Sequence, residues 1–434
     1  MRIAAIPPLV VGILAGVMPV GQAHAGGFML QEQSPLEIGR AFSGAAASAD
    51  TPSTIWYNPA GMTELPGLQL SAGAIALVVS SHQENTGTTR TAPGGSAATA
   101  VGGNSGGNPF APVVPVPTSY ASWQAGDSGL WFGLGISSPF GLKLRYNAGF
   151  FGRYDSIYSK LLTVNVQPSV AWRVSDALSV GAGIDVQYAD ATLTSALPQA
   201  DPTADGKVKL AGDDVALGWN AGVLVKLKGG TRIGVHYRSD VKHELKGTNE
   251  INGLSGSLST LNGSTPIRSP MTLPGAVTGS VSVPIDPATR VMLTARFYNW
   301  SVFDAIVVVL PNGSSIAKRY GYRDSWSLSA GVERRMSDRL TLRAGSMFDR
   351  TPTNPAFLST RVPDGDRTWL SSGMSFKVTD QLTLNASYAH VFIAGQTMTR
   401  TDNFYGGPLL TSVTTRSRQS GNVDMIATSL TARF

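Results

Sequence analysis

The feature that most restricts this chain is a two-residue hydrophobic alternation that begins near Leu68 and recurs to the last residue, Phe434. Such alternation sends apolar side chains to one side of a strand and polar ones to the other. Leu178, Val180, Ala182, Ile184, Val186 and Tyr188 share one face, with Ser179, Gly181, Gly183, Asp185 and Gln187 opposite. Ile233, Val235 and Tyr237 alternate with His236 and Arg238, and Leu340, Leu342 and Ala344 with Thr341 and Arg343. Fourteen segments of this kind can be marked: 67–82, 114–124, 129–138, 158–173, 177–194, 214–228, 231–248, 271–284, 289–301, 319–335, 339–350, 366–378, 382–398 and 420–434.

The connections alternate in length. Six are short turns (126–128, 174–176, 229–230, 285–288, 336–338, 379–381), and seven are long (83–113, 139–157, 195–213, 249–270, 302–318, 351–365, 399–419). That arithmetic describes an up-and-down barrel with both ends on the short-turn side, as in outer-membrane barrels. A sandwich has no need to place its long loops consistently on one side. The bilayer core offers no water to backbone groups, and a closed sheet pairs them all. Trp172, Tyr237, Tyr298, Trp300, Tyr322, Trp369 and Tyr388 are expected to form interfacial girdles. Ile426, Leu430 and Phe434 share a face, so the chain ends on an outward aromatic, the type of terminus expected to engage the barrel-assembly machinery.

Composition agrees. Only 14% of the 434 residues are charged, 49 are Gly, and none is Cys. The mature chain has no apolar run of the length a membrane helix needs. The formal charge of +6 is spread along the chain, without a basic block for nucleic acid. Residues 1–25 read as a signal peptide cleaved after Ala25, with Ala23-His24-Ala25 as the small-x-small site; prolines at 7 and 8 argue against a permanent anchor.

Residues 26–67 lack the alternation. Leu36, Ile38, Phe42 and Ala46 suggest short helical turns, and Pro52, Pro59 and Pro66 punctuate the rest. The stretch reads as a compact plug inside the sheet. Asn58, Pro59 and Ala60 form its central turn, either a structural corner or a contact that releases the plug.

With plug and barrel in place, the sequence resembles the FadL family of outer-membrane long-chain fatty-acid transporters. The resemblance rests on Gly39-Arg40-Ala41-Phe42-Ser43-Gly44, Asn58-Pro59-Ala60, Tyr237-Arg238-Ser239, Asn299-Trp300-Ser301, Arg323-Asp324-Ser325-Trp326 and Asp366-Arg367-Thr368-Trp369-Leu370-Ser371, in order along the mature chain. It implies a hatch that blocks the lumen. It also implies an outer hydrophobic groove, an inner pocket, and sideways release through a kink in the third strand. Where relatives carry a basic residue after the Trp-Ser region, this chain reads Ile306-Val307-Val308-Val309-Leu310, which implies a more apolar inner pocket.

A fatty acid needs an apolar tunnel and donors for its carboxylate. Phe140, Leu142, Leu144, Phe150 and Phe151 are the groove candidates, against self-packing of their loop. Pro139 marks either local unpairing or the end of the third strand. Arg153, Arg238, Arg343 and Arg367 are the carboxylate candidates, against pairing with lumen acids such as Asp185, Asp324 and Asp366. The five histidines lack ligand spacing, and Asp364-Gly365-Asp366 lacks the further acids of a calcium loop, so neither metal nor cofactor is expected. The Gly/Ser-rich stretch 94–107 is expected to be a mobile outer loop.

The chain therefore reads as all-β: a 14-stranded antiparallel transmembrane barrel over 68–434 with a small N-terminal hatch in its lumen. The resemblance implies a non-enzymatic channel for long-chain fatty acids or other hydrophobic small molecules, set in outer-membrane lipid. Aromatic hydrocarbons are the nearest alternative cargo, and a general solute porin the next reading.

Overall fold

The computed structural model describes residues 27–201 and 204–434; the signal segment lies outside them. Fourteen strands close one antiparallel sheet. They are β1 Leu68–Asn85, β2 Val114–Gln124, β3 in two segments (Leu130–Ser137 and Gly141–Arg145), β4 Tyr158–Arg173 and β5 Leu178–Leu197. Next come β6 Gly206–Lys226, β7 (Arg232–Arg238 and Val241–Asn252), β8 (Gly263–Leu273 and Ala276–Pro284) and β9 Thr289–Tyr298. The circuit ends with β10 Ser325–Arg335, β11 Leu340–Asp349, β12 Arg367–Lys377, β13 Leu382–Phe404 and β14 Thr411–Arg433. Pairing of β1 with β14, from Gln69 opposite Arg433 to Asn85 opposite Ser417, closes the cylinder.

The alternation sorts as its physics requires. Ile184, Leu217, Val235, Leu342, Leu370 and Ile426 point outward and are exposed, while Asp185, His236, Arg238 and Arg343 point inward and are buried. The girdle expectation is corrected in part. Trp172, Tyr237 and Tyr388 do face outward, but Tyr298, Trp300, Tyr322 and Trp369 are buried inside. Trp300 and Tyr322 instead pack around Phe28, at ring distances of 4.8 and 6.1 Å.

The outer connections are also shorter than expected. β13 and β14 run 23 residues each, taking up most of 399–419. Roughly 9–11 tilted residues cross a bilayer, so the strands continue as a paired wall above it. Parts of 249–270 and 302–318 are likewise strand, the latter as the hairpin of Ala305–Val309 with Ser315–Arg319. The stretch 94–107 folds down onto the next outer loop, where the Asn104 N–H donates to the Gly149 carbonyl at 2.8 Å.

The hatch fills the lumen with two single-turn helices, α1 Pro35–Ile38 and α2 Thr54–Tyr57, and a 3-10 helix, Pro59–Glu64. Its seat is cut by inward glycines. A Cβ on Gly234 would stand 1.9 Å from the Ala46 carbonyl oxygen, and one on Gly345 would stand 2.3 Å from that of Arg40. Gly181 and Gly222 make room in the same way for the Ala60 backbone and the Asn58 side chain. The high glycine content thus lets two backbones approach where any side chain would hold them apart.

Polar ties hold the hatch to this seat. Arg40 pairs with Glu37 (2.5 Å) and Asp50 (2.8 Å), and Asp50 pairs across to Arg290 of β9 (2.6 Å). Glu64 meets Lys226 and Arg232, both at 2.9 Å. Gln167 donates to the Ile55 carbonyl at 2.7 Å and Trp131 to that of Leu65 at 2.8 Å.

Glu32 departs from this pattern. It is fully buried and neither carboxyl oxygen has a hydrogen-bond partner. Burial outweighs the attraction of Arg367 and pushes it up from 4.5 to about 8. Its proton is therefore held in the seated hatch and lost when the hatch is unseated over that interval.

Two outcomes are expected. Gly234→Val drives a side chain into the hatch backbone; planar-bilayer recordings will show a shut baseline in the parent and steady conductance in the variant. Because the unseated hatch binds fewer protons, seating is strongest below pH 4.5 and weakens as pH rises through the window to about 8. Protection factors of hatch amides will fall across that window in the parent and stay level in Glu32→Gln.

Candidate functional site

The third strand positions the site. β3 pairs β2 only from Trp131 to Ile136, and its upper segment, Gly141–Arg145, pairs β4 alone. The interruption falls at 138–140, around Pro139, which cannot donate to a ladder. Hatch residues supply the missing partners. The Leu30 N–H donates to the Pro139 carbonyl and the Gly141 N–H to the Phe28 carbonyl, each at 2.8 Å. The Gln33 side chain donates to the Ser138 carbonyl at 2.8 Å.

Above this break lies an apolar cavity of about 100 Å³ on the outer side of the lumen. Phe28, Leu142, Leu161, Leu193, Leu245, Ile267, Met271, Phe303 and Ile306 line it. It therefore joins the hatch tip, the upper part of β3 and the hairpin after β9. Two cations reach its wall. Lys160 is paired with Asp190 at 2.5 Å. Arg361 is 7% exposed and donates to neutral oxygens: Ser159 Oγ at 3.1 Å and the carbonyls of Tyr158 and Thr194, both at 3.4 Å. Among the described residues no carboxylate forms an ion pair with it.

Arg361 is set in place by its neighbours. Asp155 accepts hydrogen bonds from Thr360 N–H (2.7 Å), Thr360 Oγ1 (2.6 Å) and Ser359 Oγ (2.8 Å). It also pairs with Lys318 at 2.7 Å. Burial pushes the Asp155 carboxyl up, but Lys318, Arg400 and Arg361 outweigh it and hold the group well below the usual carboxylate range. This buried charge clamps two outer loops together and presents Arg361 to the cavity.

The groove candidates divide. Leu142 lines the cavity, and Phe140 packs against Phe28 and Trp300 at 6.3 Å each. Phe150 stacks on Tyr146 at 3.9 Å and touches Phe151 at 4.7 Å, so that pair serves the loop's own packing. Leu144 is buried at 1% exposure, and none of the five is presented to solvent.

The four candidate arginines all have acidic partners. Arg153 pairs with Asp205 at 2.7 Å and Arg343 with Glu333 at 2.5 Å. Arg238 pairs with Asp185, lies 3.6 Å from the Trp56 ring centroid and donates to the Trp56 carbonyl at 3.0 Å, so it fastens hatch to wall. Arg367 pairs with Asp364 and lies 3.7 Å from Asp349; Asp366 and Asp324 instead accept backbone N–H groups of Thr351 and Ser301.

Asn58 caps the 3-10 helix, accepting from the Ala60 N–H at 3.1 Å, and donates to the carbonyls of Ala46 and Val223 at 2.7 and 3.0 Å. Pro59 starts that helix, where its fixed φ fits and no donor is needed, and Ala60 packs flat against Gly181. Sequence reasoning missed Arg361 and Asp155. Neither sits in an alternating segment, and nothing local distinguishes them from other loop charges.

The comparisons with known proteins fit this architecture. The profile described as "Outer membrane protein transport protein (OMPP1/FadL/TodX)" matches residues 16–434. The long-chain fatty acid transport protein of Escherichia coli K12 is 27% identical over 85% of this chain and 89% of its own. Outer membrane protein P1 of Haemophilus influenzae is 28% identical over 87% and 88%. Among solved structures, a Pseudomonas aeruginosa FadL homologue superposes with a TM-score of 0.84 at 20% identity, covering 94% of this chain and all of its own. The Ralstonia pickettii toluene transporter TbuX gives 0.66 at 18%, covering 92% and 98%. The chain belongs to the OMPP1/FadL/TodX family of outer-membrane transport proteins for hydrophobic compounds, and is a transporter rather than an enzyme.

Proposed function

We propose that this channel takes up long-chain fatty acids, or closely similar apolar molecules with an acid head group, by passive diffusion. The observation that carries this reading is the pairing of an almost wholly apolar cavity with one buried guanidinium whose hydrogen bonds all go to neutral oxygens, the Asp155 carboxylate acting on it without direct contact. Guanidinium recognises carboxylate through paired charge-assisted bonds. Burial of an apolar chain supplies affinity at roughly 25 cal/mol per Å². Lys160 is committed to Asp190, which leaves Arg361 to select the head group. This replaces the earlier candidates: Arg153, Arg238, Arg343 and Arg367 serve as structural ties. The relatives described as long-chain fatty acid transport proteins favour the same cargo.

Transport on this reading needs the hatch tip to leave the cavity, since Phe28 forms part of its wall. The cargo then passes sideways at the β2–β3 break. The exported chain begins after Ala25, and the outward Phe434, 63% exposed, serves as its assembly signal.

Aromatic hydrocarbon uptake is the second reading. Ile306 and Val308 on the cavity wall favour it, and a cavity of this size suits one ring. Radiolabelled oleate and toluene uptake by a strain lacking its own porter separates the two. Arg361→Met is expected to lower oleate uptake by about tenfold, the value of one lost charge-assisted contact, and to leave toluene unchanged. Unchanged oleate uptake in the variant would remove the acid-head reading, and toluene uptake without oleate uptake in the parent would establish the alternative.

A further inference from the structure

The opposite end of the lumen holds a second chamber of different chemistry. Below the hatch, on the short-turn side, a cavity of about 330 Å³ opens between β9 and β14. Its walls carry Thr341, Ser375, Thr383, Asn385 and Thr431, hydroxyls and an amide that offer little to an apolar chain. Its acids are mostly committed. Asp50 of the hatch is held by Arg40 and Arg290, and Glu333 by Arg290 (2.6 Å) and Arg343 (2.5 Å). Arg335, Arg339, Lys377 and Arg433 also line the chamber, and among the described residues none of them pairs with a carboxylate. Asp338 is the one further acid on the wall.

Four cations without acid partners, all exposed at the mouth of this hydrophilic chamber, create a positive potential there. We infer that this vestibule is a binding site for a small multivalent anion of phosphate or polycarboxylate chemistry, entering from the periplasmic side. The volume admits a di- or trianion and excludes a folded partner. Arginine in three of the four positions suits planar, bidentate contact with such groups. The site is independent of the cargo proposed above, because it lies across the hatch from the apolar cavity.

Its position links it to the gate. Arg290 lies on the vestibule wall, and its Nε meets no acceptor while its Nη2 holds Asp50. An anion that reaches Arg290 competes with Asp50 for the same guanidinium, and Asp50 is the hatch residue that ties this corner to the wall. Occupancy therefore loosens the hatch from below.

Full-length protein in neutral phosphatidylcholine nanodiscs, titrated calorimetrically with pyrophosphate at constant ionic strength, tests this. Saturable one-to-one binding is expected. It weakens at least about tenfold in Arg339→Gln/Arg433→Gln, stays within about threefold in Arg339→Lys/Arg433→Lys, and is unchanged in the outer-surface pair Lys143→Gln/Lys246→Gln. Hydrogen exchange at hatch residues 44–53 is expected to accelerate on saturation. In discs containing phosphatidylglycerol, loss of pyrophosphate binding would identify a lipid phosphate as the occupant and support the site. No saturable binding, or equal weakening by the inner and outer charge pairs, would overturn it. Saturable binding with unchanged exchange at 44–53 would overturn the link to the gate.

Discussion

Everything in this molecule follows from the need to pair backbone groups in a medium that offers no substitute partner. The register of β1 against β14, seventeen residues from Gln69 to Asn85, joins the first strand to the last and closes the cylinder. Once the sheet is closed, its outer face is fixed as apolar and its inner face is free to be polar. The inner face then faces a second problem, because a fourteen-stranded cylinder encloses more room than its own side chains fill. The hatch fills it, and glycines such as Gly234 and Gly345 let that filling approach the wall at backbone distance.

The hatch is held by charge and hydrogen bonds as well as by apolar packing, in which Phe42, Ile55, Trp56 and Met62 share one core with Trp131, Met347 and Trp369 of the wall. Arg40, Asp50, Glu64, Arg238 and Arg290 are each anchored across or beside the hatch–wall boundary. Such contacts are strong when dry and quickly weakened by water or a competing ion. Glu32, buried without a partner, is a point at which the same boundary stores an unfavourable term.

Strand number, inward and outward faces and turn sides were legible in the sequence, because period two and turn residues report backbone geometry directly. The girdle was misread for a reason that was also legible. Phe297 and Leu293 share the outward parity of β9, and Tyr298 has the other parity, so its inward position followed from the same alternation. The long outer connections were not legible as strands, since above the bilayer both faces meet water or loop and the hydrophobic contrast fades. The seat was hidden for a different reason. A glycine at an inward position looks the same whether it faces an open lumen or the backbone of Ala46. Arg361 was hidden because its role is set by what its neighbours Asp155 and Ser159 leave unpaired, which no local pattern records.

The break in β3 brings these threads together. From Val114 to Thr118, β2 has β1 on one side and no partner on the other, while the upper part of β3 belongs to β4. An unpaired stretch of wall is costly beside lipid, and the hatch satisfies the β3 side of it: the carbonyl of Phe28, the N–H of Leu30 and the side chain of Gln33 bond to Gly141, Pro139 and Ser138. The ring of Phe28 is at the same time part of the cavity wall. One short segment therefore closes both the pocket and the wall. Its removal from the pocket would also uncover the break, so the two openings share one cover. A separate lid over each opening would have allowed one to gape while the other held; sharing the segment removes that state.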